Sequence, residues 1–143
     1  MNNMINSKSK KVIQSLMGLV LSISMLFMLT ACGESTPVEA LVISDDFYES
    51  ATEIGSVEQP AKLSVGDTIY GSISLIESPK GMKYQAKWLL DSKEIMVDEK
   101  AMETDQRGVL IFPLEADKVA VGMLKLQILY KDEVLAEKEV LVE

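Results

Sequence analysis

Histidine is absent from the 143 residues, and cysteine occurs once. Without an imidazole there is no Ser-His-Asp or Cys-His catalytic set, and zinc sites of the common Cys/His type are excluded. A single thiol has no partner for a disulfide within the chain. Positive charge is scarce too. Fourteen Lys and Arg face 22 Asp and Glu, a formal net charge of −8, and no basic patch of the kind nucleic-acid binding requires is visible. There is no Gly-rich phosphate loop, no G-x-S-x-G elbow and no D-x-[DN]-x-[DN]-G calcium loop. The length leaves room for one ordinary domain.

What charge there is has a direction. Residues 1–31 hold Lys8, Lys10 and Lys11 and no acid. An apolar stretch from Val12 to Leu29 follows, interrupted only by Gln14, Ser15, Gly18, Ser22 and Ser24. As a helix it would reach about 27 Å, near the thickness of a bilayer core. A basic head and an apolar run fit either a signal peptide or an uncleaved anchor. The residues at the end of the run separate these readings. Leu29-Thr30-Ala31-Cys32 resembles the lipobox of bacterial lipoproteins, an apolar residue and two small ones ahead of a cysteine. The resemblance implies diacylglycerol on the Cys32 thiol, cleavage between Ala31 and Cys32, and acylation of the new amino group. Small residues admit the backbone to a protease cleft, and a thiol is the best nucleophile for taking up a lipid. Several acyl chains together give stable anchoring where one is marginal. The alternatives are an uncleaved anchor with an incidental Cys32 and a secretory signal without lipid.

Cleavage there leaves 112 residues with 11 basic and all 22 acidic side chains, a formal charge of −11. Such a body repels anionic headgroups. The expected organisation is a signal peptide over 1–31, a lipidated tether over 32–38 and a domain over 39–143. The tether, Gly33-Glu34-Ser35-Thr36-Pro37, is small, polar and ended by proline. Five or six extended residues span roughly 20 Å, which keeps the domain close to its membrane.

The domain reads as strands, because alternation of period two recurs and long helical periodicity does not. Ala40 to Ile43 is β-rich and stopped by Ser44-Asp45-Asp46. From Thr68 to Ile76, Ile69, Gly71, Ile73 and Leu75 share one face; Tyr70, Ser72 and Ser74 take the other, where solvent exposure is expected of the two serines. Tyr84, Ala86, Trp88 and Leu90 alternate with Lys83, Gln85 and Lys87 after a turn at Ser78-Pro79-Lys80-Gly81. Asp91-Ser92-Lys93 turns the chain into Glu94–Val97, and the polar residues 98–107 read as loop. Leu110, Phe112 and Leu114 form another apolar face, as do Leu124, Leu126, Ile128 and Tyr130. Lys131-Asp132-Glu133 reads as a hairpin into a last strand, Val134–Val142, placed at a sheet edge and bearing Glu137, Lys138 and Glu139. Helix is expected only as short pieces: Ser50–Glu58, broken at Gly55, and a turn within Glu115–Val121. About seven strands at this spacing predict an all-β antiparallel sandwich, preceded by the signal-peptide helix.

Lys62-Leu63-Ser64-Val65-Gly66-Asp67-Thr68-Ile69-Tyr70, Pro79-Lys80-Gly81, Ala86-Lys87-Trp88-Leu89-Leu90, Lys93-Glu94-Ile95 and Gly122–Ile128 follow one another in an order similar to small immunoglobulin-like domains of bacterial lipoproteins and surface proteins. The likeness runs over about residues 40–143. Leu89-Leu90 depart from it where aromatics are usual. The resemblance implies a seven-strand immunoglobulin-like sandwich and a non-catalytic module, and it brings no catalytic residues.

The side chains that remain have plain readings. Trp88, the only Trp, is expected in the inter-sheet core rather than as a ligand platform. Tyr84 and Tyr130 belong to the core or its edge, whereas Tyr70 and Tyr48 have room to be exposed. Asp45-Asp46, Asp98-Glu99, Glu103-Asp105, Glu115-Asp117 and Asp132-Glu133 read as solvated loop charge rather than a calcium or glycosidase pair. No cofactor, metal or nucleic-acid partner is expected. The expected function is a monomeric, lipid-anchored envelope lipoprotein acting as a non-catalytic interaction module. It would lie in the outer membrane of a Gram-negative cell, where Gly33 is not the Asp of inner-membrane retention, or on the extracytoplasmic face of a Gram-positive one. The alternatives are a ligand- or ion-binding lipoprotein serving a transporter and an envelope enzyme.

Overall fold

The computed structural model describes residues 36–143; the segment expected to be a signal peptide, with Ala31 and Cys32, lies outside the described residues. Eight strands form two sheets. β1 (Val38–Ser44), β3 (Ile69–Ser78) and β6 (Gln106–Leu114) make an antiparallel sheet in the order β1-β3-β6. The second sheet has the order β2-β8-β7-β4-β5, from β2 (Lys62–Leu63), β4 (Lys83–Leu90), β5 (Lys93–Ala101), β7 (Gly122–Tyr130) and β8 (Glu133–Val142). Every pairing is antiparallel except β2 with β8. Chain order crossing between two facing sheets in this way, with a buried Trp on β4, defines an immunoglobulin-like β-sandwich. The expected seven strands become eight because the two residues of β2 pair with the end of β8.

The core is the alternation foreseen in the sequence. Ile69, Ile73, Leu75, Phe112 and Leu114 come from one sheet, and Tyr84, Ala86, Trp88, Leu124, Leu126, Ile128, Val140 and Val142 from the other. In antibody domains a disulfide joins the strands equivalent to β3 and β7 beside the central Trp. Here the facing positions are Gly71 and Leu126. The Leu126 side chain fills the volume that a Cβ on Gly71 would need, and the Trp88 ring lies within 3.5 Å of the same point. Even alanine at 71 must displace the Leu126 side chain.

Two hairpins are two-residue turns. Asp91 and Ser92 have φ of 47° and 69°, Lys131 and Asp132 of 48° and 67°. Positive φ at both central residues is the type I′ requirement, which matches the right-handed twist of the flanking strands.

Four expectations are corrected. β5 runs on through Ala101, and only residues 102–105 separate it from β6, so 98–107 is not a loop. Backbone pairing with β4 at Lys83↔Ala101 and Ala86↔Asp98 holds those polar residues in a strand whatever their pattern. β8 is not simply an edge, since β2 covers Leu141 and Val142. Ser72 and Ser74 do not face solvent; both are fully buried, because residues 45–58 fold back over the outer face of β1 and β3. Within that segment α1 (Ala51–Ser56) retains Gly55 rather than breaking there. Its S-x-x-E start is capped: Ser50 Oγ accepts from the Glu53 amide at 3.2 Å and donates to Glu53 Oε2 at 2.8 Å. α1 packs on β1 and β3 with Ile54 buried, and the Tyr48 amide donates to Ser72 Oγ at 3.2 Å. This second layer explains why Leu41, Val42, Ile43 and Ser44 are buried in succession. The Glu115–Val121 region holds a single 3₁₀ turn, Ala116–Lys118.

Candidate functional site

The strand directions define two ends. β1 begins, β3 ends, and β6 begins at one end, together with connections 79–82, 102–105 and 131–132. The opposite end carries connections 64–68, 91–92 and 115–121. A nine-residue strand such as β7 separates the two by about 30 Å.

Trp88 is wholly buried, so it is core and not a platform; its Nε1 has no hydrogen-bond partner among the described residues. Tyr84 is buried as well, its hydroxyl 2.8 Å from Ser78 Oγ and its ring 5.9 Å from that of Tyr130, which is half-buried at the core edge. Tyr70 is half-buried against Phe47 at 5.4 Å, and Tyr48 is half-buried. The tyrosines therefore do not converge. The paired carboxylates stay apart too. Asp45 and Asp46 follow β1, Asp98 and Glu99 lie on β5, Glu103 and Asp105 on its following turn, Glu115 just before the 3₁₀ turn and Asp117 within it, and Asp132 and Glu133 in the last hairpin. Among the described residues no three acidic side chains come together to hold a metal ion.

The strand edges are interrupted at particular points, each by a different device. On β1, the Gln59 side chain accepts from the Ile43 amide at 2.9 Å and donates to the Ile43 carbonyl at 2.8 Å, as a neighbouring peptide group would. On β6, Lys100 Nζ donates to the Ile111 carbonyl at 2.6 Å and sits 5.6 Å from the centre of the Phe112 ring. β5 carries Asp98 and Lys100 opposite buried Ala86 and Tyr84, on the core-facing side. Inward charges of this kind oppose strand addition. β8 is covered at its end by β2, joined by the Lys62–Glu143 ion pair. None of these plugs stands out in the sequence, since each links residues far apart along the chain.

The surface furrows are open. One of about 410 Å³ runs between β1, α1 and β8 and is lined by Val38, Leu41, Ile54, Gly55, Ala136 and Lys138, among others. A second, of about 330 Å³, continues it past Gly55 toward Ser74 and Arg107.

At the end remote from Val38 the exposed apolar residues gather. Among the described residues seven large hydrophobic side chains are exposed. Val65, Val121, Met123 and Leu141, with Phe47 on the other sheet's side, belong to that end, and only Val97 and Val134 lie elsewhere. Met123 and Leu141 are cross-strand neighbours. Val65 is tied beside them through its amide to the Glu143 carbonyl at 3.2 Å. Asp91 fixes Met123 from both directions: its amide donates to the Met123 carbonyl and its carboxylate accepts from the Met123 amide, each at 2.9 Å. Leu141 falls within the last strand expected from alternation, and Met123 within the strand implied by the resemblance; their adjacency is a matter of register.

No protein-family model matches this chain, and comparison with characterised proteins by sequence finds no match. Solved structures give distant likenesses. An immunoglobulin-like protein from Pseudomonas aeruginosa is 14% identical over 76% of this chain and 94% of its own, with a TM-score of 0.46. The CARDB domain of a Pyrococcus furiosus protein, in complex with di-metal ions, is 10% identical over 72% and 90%, at 0.39. A β-glucosidase from Listeria innocua is 13% identical at 0.44; this chain is matched over 58% of its length and spans 14% of that enzyme. The fold assignment rests on the strand order and core given above, and none of these likenesses adds an argument about function.

Proposed function

We propose that this chain is a bacterial lipoprotein whose immunoglobulin-like domain is a non-catalytic interaction module held at a membrane face of the cell envelope. The observation that carries the reading is the order of basic head, apolar run and Leu29-Thr30-Ala31-Cys32, with the only thiol of the chain at the position a lipid would occupy. The fold is consistent with an accessory role. Its surface furrows are shallow and open, which suits a protein partner better than an enclosed small ligand. The guarded strand edges support a monomer, because edge pairing is the cheapest route to self-association of sheets. In a Gram-negative cell the outer membrane is the expected site, and in a Gram-positive cell the extracytoplasmic face of the cell membrane.

The test is intact-mass analysis of the protein from bacterial membranes. The expected result is a mature chain beginning at Cys32 with acyl chains attached, and loss of both maturation and acylation in Cys32→Ala. An unmodified N-terminus on the wild-type protein, or unchanged membrane attachment of the variant, would refute the reading.

A further inference from the structure

We propose that the furrow between β1, α1 and β8 takes an extended peptide segment of a partner protein, which adds to β1 as a short strand; the inference names the kind of partner for the interaction module proposed above and rests on that reading. The edge of β1 is where main-chain groups are left over. In an antiparallel ladder, successive residues turn their amide and carbonyl alternately toward the partner strand and away from it. Two sets of bonds fix the phase of that alternation. The Ile43 amide and carbonyl both engage the Gln59 side chain, so they point away from β3. On β3 the Ile76 amide donates to the Pro37 carbonyl at 2.9 Å, so Ile76 turns its main chain toward β1, and Ile73, three residues away, turns toward β6. Leu41 is paired with Ile73, and the register is unbroken from Leu41 to Ile43. Its amide and carbonyl therefore point away from β3 as well, and among the described residues neither has a hydrogen-bond partner.

Leu41 belongs to the lining of the furrow, and Gln59 shows what fits against this edge. Its carboxamide, a donor and an acceptor on one planar group, satisfies Ile43 as the peptide group of a strand would. Two residues along β1, about 7 Å away, Leu41 offers the same donor and acceptor. An incoming main chain supplies both partners at once, and main-chain pairing at a sheet edge is a recurrent mode of peptide recognition. The furrow also limits its occupant. The open length stops at Gln59 and lies between α1 and β8, and Leu41 is only 8% exposed. A lone extended segment can enter there; the edge of a second folded copy cannot. Charge makes little selection, since Glu39 lies 4.0 Å from Arg107 and Glu137 lies 3.9 Å from Lys125. Side-chain size does select. A residue added opposite Leu41 places its side chain on the same face of the sheet as Leu41, toward Ala136 at the edge of the core, where an aliphatic group is buried. The residues on either side of it fall on the α1 face, beside Gly55, where small polar side chains suffice. The segment is an aliphatic residue between small ones, held mainly by its main chain.

The test uses full-length protein in nanodiscs of neutral lipid and the capped, uncharged peptide Ser-Thr-Val-Thr-Ser, with a counterpart methylated at every backbone nitrogen. Amide hydrogen exchange is read residue by residue. At millimolar peptide, exchange at Leu41 should slow by about tenfold, as for a site about nine-tenths occupied, while Ile43, already bonded to Gln59, should be unchanged. The methylated peptide keeps the side chains and lacks the donors, and should leave Leu41 nearly as it was. Gly55→Leu sends a side chain into the furrow from a position with open space around it; it should abolish the effect of the first peptide without lowering the melting temperature. No slowing at Leu41, equal slowing by both peptides, or undiminished slowing in a stably folded Gly55→Leu protein would overturn the proposal. The comparison of the two peptides needs no variant and decides the matter if Gly55→Leu is destabilised. The intact mass of the same samples keeps the two readings apart. An unacylated wild-type chain in which the peptide still protects Leu41 keeps the furrow and sinks the anchor; an acylated chain without that protection keeps the anchor and sinks the furrow.

Discussion

The two outer faces of the sandwich solve the same problem in opposite ways. On the five-stranded sheet, lysines of the central strands meet glutamates of the flanking ones. Lys83 lies 3.2 Å from Glu99, Lys87 3.7 Å from Glu94, and Lys125 3.9 and 3.7 Å from Glu137 and Glu139. This face is wet, and its charges neutralise one another across the ladder. The three-stranded sheet has no such ladder on β1 and β3. There the outer residues Val42, Ser72 and Ser74 are all buried, and a length of chain closes over them. One face is kept in water by its side chains, the other is taken out of water by a segment from elsewhere in the sequence. The covered face should therefore carry stability, and the charged face should carry little.

The comparison can be broken most sharply at Ile54. Replacing it with Ala removes the buried anchor of α1, and a loss of about 2–4 kcal/mol is expected in chemical denaturation. Hydrogen exchange should show the amides of residues 45–58 opening first, with the β7–β8 amides retained. Gln59→Ala comes next. It leaves the Ile43 amide and carbonyl on an unguarded edge, with an expected cost of about 1–2 kcal/mol and a concentration-dependent sedimentation coefficient if the edge then pairs. Gly55→Ala works in the other direction. Among the described glycines, Gly55 alone has ordinary φ and open space where a Cβ would go, so stabilisation of about 0.5–1 kcal/mol is expected in the same assay. The smallest effect belongs to the charged face. Lys125→Ala should change stability by no more than about 0.5 kcal/mol, because exposed ion pairs are screened and costly in side-chain entropy. A Lys125 effect as large as that of Ile54 would reverse the comparison.

The same contrast explains what was legible in the sequence. The strands of the five-stranded sheet could be read because one face is wet: Lys83, Gln85 and Lys87 alternate with Tyr84, Ala86 and Trp88, and burial follows that alternation. The placing of Trp88 in the core came from the same rule. The three-stranded sheet resisted it. Ser72 and Ser74 look like solvent-facing residues on chemistry alone, and a hydroxyl is small enough to be buried once it finds a partner. Tyr48 supplies one to Ser72 from 24 residues away. The sequence pattern ends β5 too early because Asp98, Glu99 and Lys100 carry no strand signal; their conformation is imposed by hydrogen bonds to β4. The apolar patch was illegible for a related reason, since Val65, Met123 and Leu141 become neighbours only through register.

The sequence by itself determined the strand alternation, the two-residue turns and the inward Trp88, because these depend on period two and on local backbone preference, which neighbouring residues decide. It also contains, in the residues up to Cys32, the whole basis for proposing a lipid anchor. The tertiary structure alone decided that residues 45–58 cover one sheet, that Gln59 and Lys100 block the edges of β1 and β6 at one point each, and that exposed apolar side chains collect at one end. Those outcomes depend on which distant segments come within contact and hydrogen-bonding distance, and local pattern carries no record of them.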